Sequence, residues 1–192
     1  MFPAIFLDRD GVLIENRADY VRNWAQVNIL PKIVEALASD AIKNYKIIIV
    51  TNQSAVGRGL ITLETAQNIN NNLVRVIKKH KGQIHAVYMC PHDPGAQCSC
   101  RKPKPGLILQ AAHDLALDLA RSWMIGDAWS DLLAGQAAGV HKVAIVKTGR
   151  GGEQLLQHSP DSLTDYLVFN DLADAIRTIQ KIDSTQSSQG KI

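Results

Sequence analysis

The chain has 192 residues, 46% hydrophobic and 20% charged, with 21 basic against 18 acidic side chains. That is enough apolar material for one sizeable core, and it excludes collagen-like, low-complexity and strongly basic nucleic-acid-binding compositions. No apolar run approaches the roughly 18 residues of a membrane span, and the start lacks the basic region of a signal peptide, so a cytoplasmic domain over residues 1–182 is expected.

In chain order, Ala4–Leu7 reads as a buried strand. Pro31 opens a helix with Ile33, Val34, Leu37, Ala41 and Ile42 at its apolar positions. Residues 47–50 form a β-branched strand stopped by Thr51 and Asn52. Thr62 caps a long helix that Gly82 ends. A strand over 84–89 leads into a cysteine-rich stretch. Then come a helix over 105–120, a strand over 123–125, a helix over 130–139, strands over 143–146 and 167–169, and a helix over 171–182. The Ser/Gln-rich tail over 183–192 is expected to be disordered. Apolar strands alternating with helices predict an α/β, Rossmann-like three-layer sandwich with a central parallel sheet. Its site belongs at the carboxyl ends of the strands.

Reactive groups gather at those ends. The first strand delivers Asp8 and Asp10, two carboxylates two residues apart and so on one side of the chain. A polar turn is the bland reading; an EF-hand loop would need a Gly at its sixth position and a terminal Glu, and both are missing. The segment from Thr51 to Gly59 is a surface turn or an anion cradle, without the Lys-Ser/Thr pair of a Walker loop. Asp127 and Asp131 follow another strand and could simply cap the next helix.

Taken together, Asp8-Arg9-Asp10-Gly11, the strand-terminal Thr51, Lys102 and Gly126-Asp127 with Asp131 resemble the haloacid-dehalogenase (HAD) superfamily of phosphohydrolases. The likeness runs over about residues 4–170 and implies a HAD fold with a minimal cap, the first strand lying beside the fourth. It further implies Mg²⁺ held by Asp8, the Asp10 carbonyl and Asp127. Asp8 would be the nucleophile, passing through a phosphoaspartate, and Asp10 the general acid and base. Thr51 and Lys102 would hold the transferring phosphoryl group, with Asp131 orienting Lys102 or a metal-bound water.

All three cysteines fall in one loop, where Cys90, His92, Cys98 and Cys100 offer a closed Cys₃His set for structural zinc. The alternative is a flexible loop of free thiols, which would be exposed to oxidation. Arg101 and Lys102 follow the last ligand, so a metal over residues 90–100 would fix both of them.

With that loop, Thr51-Asn52-Gln53-Ser54 and Cys100-Arg101-Lys102-Pro103 narrow the resemblance to the D-glycero-D-manno-heptose 1,7-bisphosphate 7-phosphatases, with histidinol-phosphate phosphatases as near relatives. That likeness implies a small sugar phosphate as substrate, bound by Asn52, Gln53, Ser54 and Arg101, and a monomeric enzyme. The sequence departs from it at Ala128, where a Lys or Arg is usual, at Ala55 in place of Gly, and by one extra residue between Gly11 and Tyr20. Low net charge and the lack of an aromatic stripe argue against a nucleic-acid end as substrate.

Overall fold

The computed structural model describes the backbone of residues 1–189 and the side chains through residue 182. Six strands, β1 (Ala4–Leu7), β2 (Lys46–Asn52), β3 (Ala86–Cys90), β4 (Trp123–Gly126), β5 (Lys142–Val146) and β6 (Tyr166–Phe169), form one parallel sheet in the order β3-β2-β1-β4-β5-β6. The order reverses between β1 and β4, where Leu7 pairs with Ile125 and the Asp8 N–H reaches the Ile125 carbonyl at 3.0 Å. Such a switch point opens a crevice at the strands' carboxyl ends.

Alternation along β1 separates two cores. Ile5 and Leu7 face one side, with Ile33 and Leu37 of α1 (Ile33–Leu37), Ile69 and Leu73 of α3 (Leu63–Lys79), and Ala175 and Ile179 of α7 (Leu172–Gln189). A short helix α2 (Ser54–Gly57) lies between β2 and α3. Ala4 and Phe6 face the other side, against Leu107 and Ala111 of α4 (Gly106–Asp114) and Leu132 and Ala134 of α5 (Trp129–Ala137). A single turn, α6 (Gly151–Gln154), follows β5. This is the expected three-layer arrangement. Among the described residues, no helix is long and apolar enough to cross a membrane.

Four local expectations change. The helix expected from Pro31 starts at Ile33 behind a left-handed Lys32, and a 3₁₀ turn over Asp40–Ile42 replaces its second half. The 105–120 helix stops at Asp114, because Ala116 takes a positive φ of 50° and Leu117 turns back to bridge Phe2. The helix expected to run to Gly82 ends at Lys79, and Lys81 adopts the left-handed conformation. The tail expected to be disordered from Asp183 instead continues α7 to Gln189. Extending a helix already anchored by packing is far cheaper than nucleating one. Residues 190–192 of that expectation lie outside the described residues.

Candidate active site

Strand ends set the positions of the reactive groups. Asp8 follows β1, Thr51 and Asn52 finish β2, and Asp127 follows β4. Asp8, Asp127 and Asp131 bring carboxylate oxygens within 4.8 Å of one another, and all three residues are buried. The adjacency of Asp8 and Asp127 that local sequence could not show is therefore present. Gly11 turns the chain there with a φ of 85°, and any side chain on it would collide with the Asp127 carboxylate.

Lys102 arrives from the loop between β3 and α4 and is buried at 4% exposure. Its ammonium lies 2.7 Å from Asp8 Oδ1 and 2.7 Å from Asp131 Oδ1, and donates to the Val50 carbonyl at 2.8 Å. Asn52 fixes the Lys102 backbone in both directions, its Nδ2 donating to the carbonyl and its Oδ1 accepting the N–H, each at 3.1 Å. Asp131 also accepts the Ala128 N–H through Oδ2. Its two oxygens are thus divided between Lys102 and the start of α5.

Charge crowding shapes the acidities. Burial pushes the Asp8 carboxyl up to about 6, Lys102 opposes this, and Asp131 and Asp10 reinforce it. Burial works against the Lys102 ammonium, but Asp131 and Asp8 outweigh it and hold it above its ordinary value. Burial and then Asp8 also raise Asp127 against the pull of Arg150. Two converging buried carboxylates, Asp8 and Asp127, each raised chiefly by burial and further by acidic neighbours, fit a hard divalent cation such as Mg²⁺.

Arg150 is a residue the sequence did not reveal. The Gly-rich stretch from Thr148 to Gly152 is tied down: Thr148 Oγ1 donates to the Gly11 carbonyl and the Arg150 N–H to Asp127 Oδ2. The Arg150 guanidinium reaches Asp127 Oδ1 at 3.1 Å. The available signal was position, since this loop leaves β5, next to β4, at the carboxyl end of the sheet.

Asp10 stands on the crevice side but is not free. Gln53 Nε2 donates both to Asp10 Oδ2 at 3.0 Å and to Thr51 Oγ1 at 2.9 Å, and the Arg9 guanidinium grips both Asp10 oxygens. Both ends of the Gln53 amide are therefore engaged within the protein. A cavity of about 400 Å³ joins these groups, lined among others by Asp8, Asp10, Asn52, Gln53, Ser54, Arg101 and Lys102. Thr51 lies just beneath, fully buried. Arg17 and Arg150 also line the cavity, whereas Arg58 is exposed and does not.

Beside it, the four cysteine-loop ligands converge. Cys90 Sγ and Cys98 Sγ are 3.6 Å apart, Cys98 and Cys100 3.4 Å, and His92 Nδ1 lies 3.3 Å from Cys100 Sγ. Sulfurs at about 2.3 Å from one tetrahedral zinc would lie about 3.8 Å apart, so the set is compatible with that ion. The thiols cannot all ionise without a cation. Desolvation raises each; hydrogen bonding from its neighbours brings Cys98 down to about 6, while Cys90 and Cys98 help push Cys100 up to about 12. Gly57 in α2 touches this loop so closely that a Cβ would strike the backbone of residues 91–93.

Comparison with known proteins agrees with this geometry. A profile for HAD-hydrolase-like proteins matches residues 99–175. The D-glycero-beta-D-manno-heptose-1,7-bisphosphate 7-phosphatase of Pseudomonas aeruginosa is 33% identical over 169 residues, covering 88% of this chain and 93% of that protein. The chain belongs to the HAD family of phosphatases. The Helicobacter pylori enzyme of the same name is 41% identical over 71% of this chain and 79% of its own. A solved D,D-heptose 1,7-bisphosphate phosphatase from B. bronchiseptica, complexed with magnesium and phosphate, superposes with a TM-score of 0.87 at 32% identity, covering 94% of this chain and 99% of that one. This HAD phosphatase is a phosphomonoester hydrolase of the Mg²⁺-dependent kind.

Proposed function

We infer that the protein removes the 7-phosphate of D-glycero-D-manno-heptose 1,7-bisphosphate in the cytoplasm, acting as a monomer with Mg²⁺ in the crevice and zinc in the cysteine loop. The observation that carries this reading is the surplus of cations around the cavity. Lys102 is enough for a phosphoryl group at Asp8, yet Arg101 lines the same space, as do Arg17 and Arg150, which pair with Asp19 and Asp127. Arg101 spends one N–H on the His92 carbonyl at 3.4 Å, which leaves most of its planar fork for a phosphate that is not cleaved. Similar enzymes carrying the heptose bisphosphate name support the sugar assignment.

The chemistry follows from the contacts. The Asp8 carboxylate attacks phosphorus and becomes an acyl phosphate, while Asp10 gives its proton to the departing sugar oxygen. Asp10 then takes a proton from the water that hydrolyses the acyl phosphate. Lys102 and the Thr51 hydroxyl offer donors to the phosphoryl oxygens, and Asn52 and Asp131 keep Lys102 in place. Asp8, Asp127 and the Asp10 carbonyl would hold Mg²⁺, which when bound would neutralise charge between nucleophile and phosphate. Asn52 and Ser54 present polar groups to the sugar along the cavity wall.

The test compares kcat/KM for heptose 1,7-bisphosphate, histidinol phosphate and simple sugar monophosphates, in the wild type and in Arg101→Lys. A preference for the bisphosphate that Arg101→Lys weakens is expected. Equal efficiency on all substrates would overturn the heptose assignment, and a preference for histidinol phosphate would replace it.

A further inference from the structure

Arg9, between Asp8 and Asp10 in the chain, is 1% exposed. A guanidinium in that position is costly unless its donors are met. They are met in a specific way. Nε donates to Asp10 Oδ2 at 3.0 Å and one Nη to Asp10 Oδ1 at 3.1 Å, so both carboxylate oxygens lie against the planar fork. The same Nη donates to Gln53 Oε1 at 2.9 Å, and the other Nη to Asn70 Oδ1 at 2.8 Å. Asn70 sits buried in the middle of α3, 61 residues away, and its own Nδ2 rests on Met89 Sδ at 3.5 Å.

We propose that Arg9 and Asn70 are positioning residues for Asp10: Asn70 orients the Arg9 guanidinium, and Arg9 with Gln53 holds the Asp10 carboxyl in one plane facing the cavity. Arg9 reaches the cavity wall with its donors turned to Asp10, Gln53 and Asn70, and Asn70 is not part of that wall. A two-point fork fixes the rotation of a carboxyl group, which a single lysine ammonium cannot do. The helix thereby sets the aim of the group that must deliver a proton to the leaving oxygen. This rests on Asp10 being the general acid, and the experiment separates the two claims.

An aimed acid matters only when the leaving oxygen needs its proton. Alkyl phosphates need it, whereas p-nitrophenyl phosphate releases a stable phenolate without it. The measured quantity is kcat/KM, which covers only the steps up to departure of the alcohol or phenolate. Asn70→Leu, which keeps the volume and removes the acceptor, should lower kcat/KM for an alkyl sugar phosphate by about tenfold more than for p-nitrophenyl phosphate. Arg9→Met should show a larger split and Arg9→Lys an intermediate one. If Arg9→Met fails to fold, Asn70→Leu and Arg9→Lys carry the test. Asp10→Asn is the control. A split in Asp10→Asn with equal losses on both substrates in the Asn70 and Arg9 variants would overturn the proposal alone. No split in Asp10→Asn would overturn its role as the acid, and the proposal with it.

Discussion

Replacing Lys102 with Met tests how the buried charges are balanced. The substitution keeps much of the side-chain volume but removes the ammonium that Asp8 and Asp131 share at 2.7 Å each, together with the donor to Val50. Lys102 is 4% exposed, Asp8 5% and Asp131 1%, so water cannot take over. Removing one partner of a buried ion pair costs about 3–5 kcal/mol. For a chain of this size that lowers the melting temperature by about 6–20 °C. The loss depends on pH with a definite sign. Asp8 is already raised to about 6, and without Lys102 it rises further. A carboxyl that binds its proton more tightly in the folded state than in the unfolded one loses stability as pH rises through that range. Urea titrations without added divalent cation should therefore show a larger deficit at about pH 8 than at about pH 5. Adding Asp131→Asn should recover part of the stability, while phosphatase activity stays down by about 100-fold or more. Equal urea midpoints for wild type and K102M at the higher pH would refute this account of the buried cluster.

Three further outcomes are expected. Asp8→Asn should abolish turnover while the far-ultraviolet spectrum and zinc content stay unchanged, since an amide cannot form the acyl phosphate; near-wild-type phosphate release would remove Asp8 from that role. Zinc should copurify at about one ion per chain, and Cys98→Ser or Cys100→Ser should lose it and lower activity through Arg101 and Lys102; elemental analysis that finds no zinc in chelator-free wild type would reject the site. His85, whose Nδ1 accepts the Ile47 N–H at 2.9 Å, is held below its ordinary value by desolvation and then by Lys46 and Lys78. Its contribution is present above about pH 6.5 and is lost as pH falls, so His85→Asn, which can still accept that bond, should flatten the acid-side slope of stability; identical slopes would count against it.

The strands were legible because their apolar runs are continuous and β-branched, as in residues 47–50, and because each ends in polar residues that cannot continue the core. Asp8, Thr51, Asp127 and the four cysteine-loop ligands stood out at or after strand ends and Lys102 came with the family resemblance, but only the sheet order brings Asp8 to Asp127. Helix lengths were harder to read. The stop at Asp114 depends on Leu117 bridging to Phe2, a contact between distant segments that no local pattern encodes. Arg150 and Asn70 escaped for a related reason. One lies in a Gly-rich loop and the other on a helix whose exposed face also carries asparagines, and only tertiary placement distinguishes them.

The double hydrogen bond between the Asn52 side chain and the Lys102 backbone has an evolutionary corollary. The chain leaves the sheet at Cys90 and is caught again at Lys102, so whatever lies between is a detour with both ends pinned. Residues 93–97, between the ligand pairs, can be lengthened, shortened or exchanged at the modest entropic cost of a longer closed loop. The lysine stays at its post throughout. Length and sequence can drift in that detour while the phosphoryl-transfer apparatus remains under unchanged constraint.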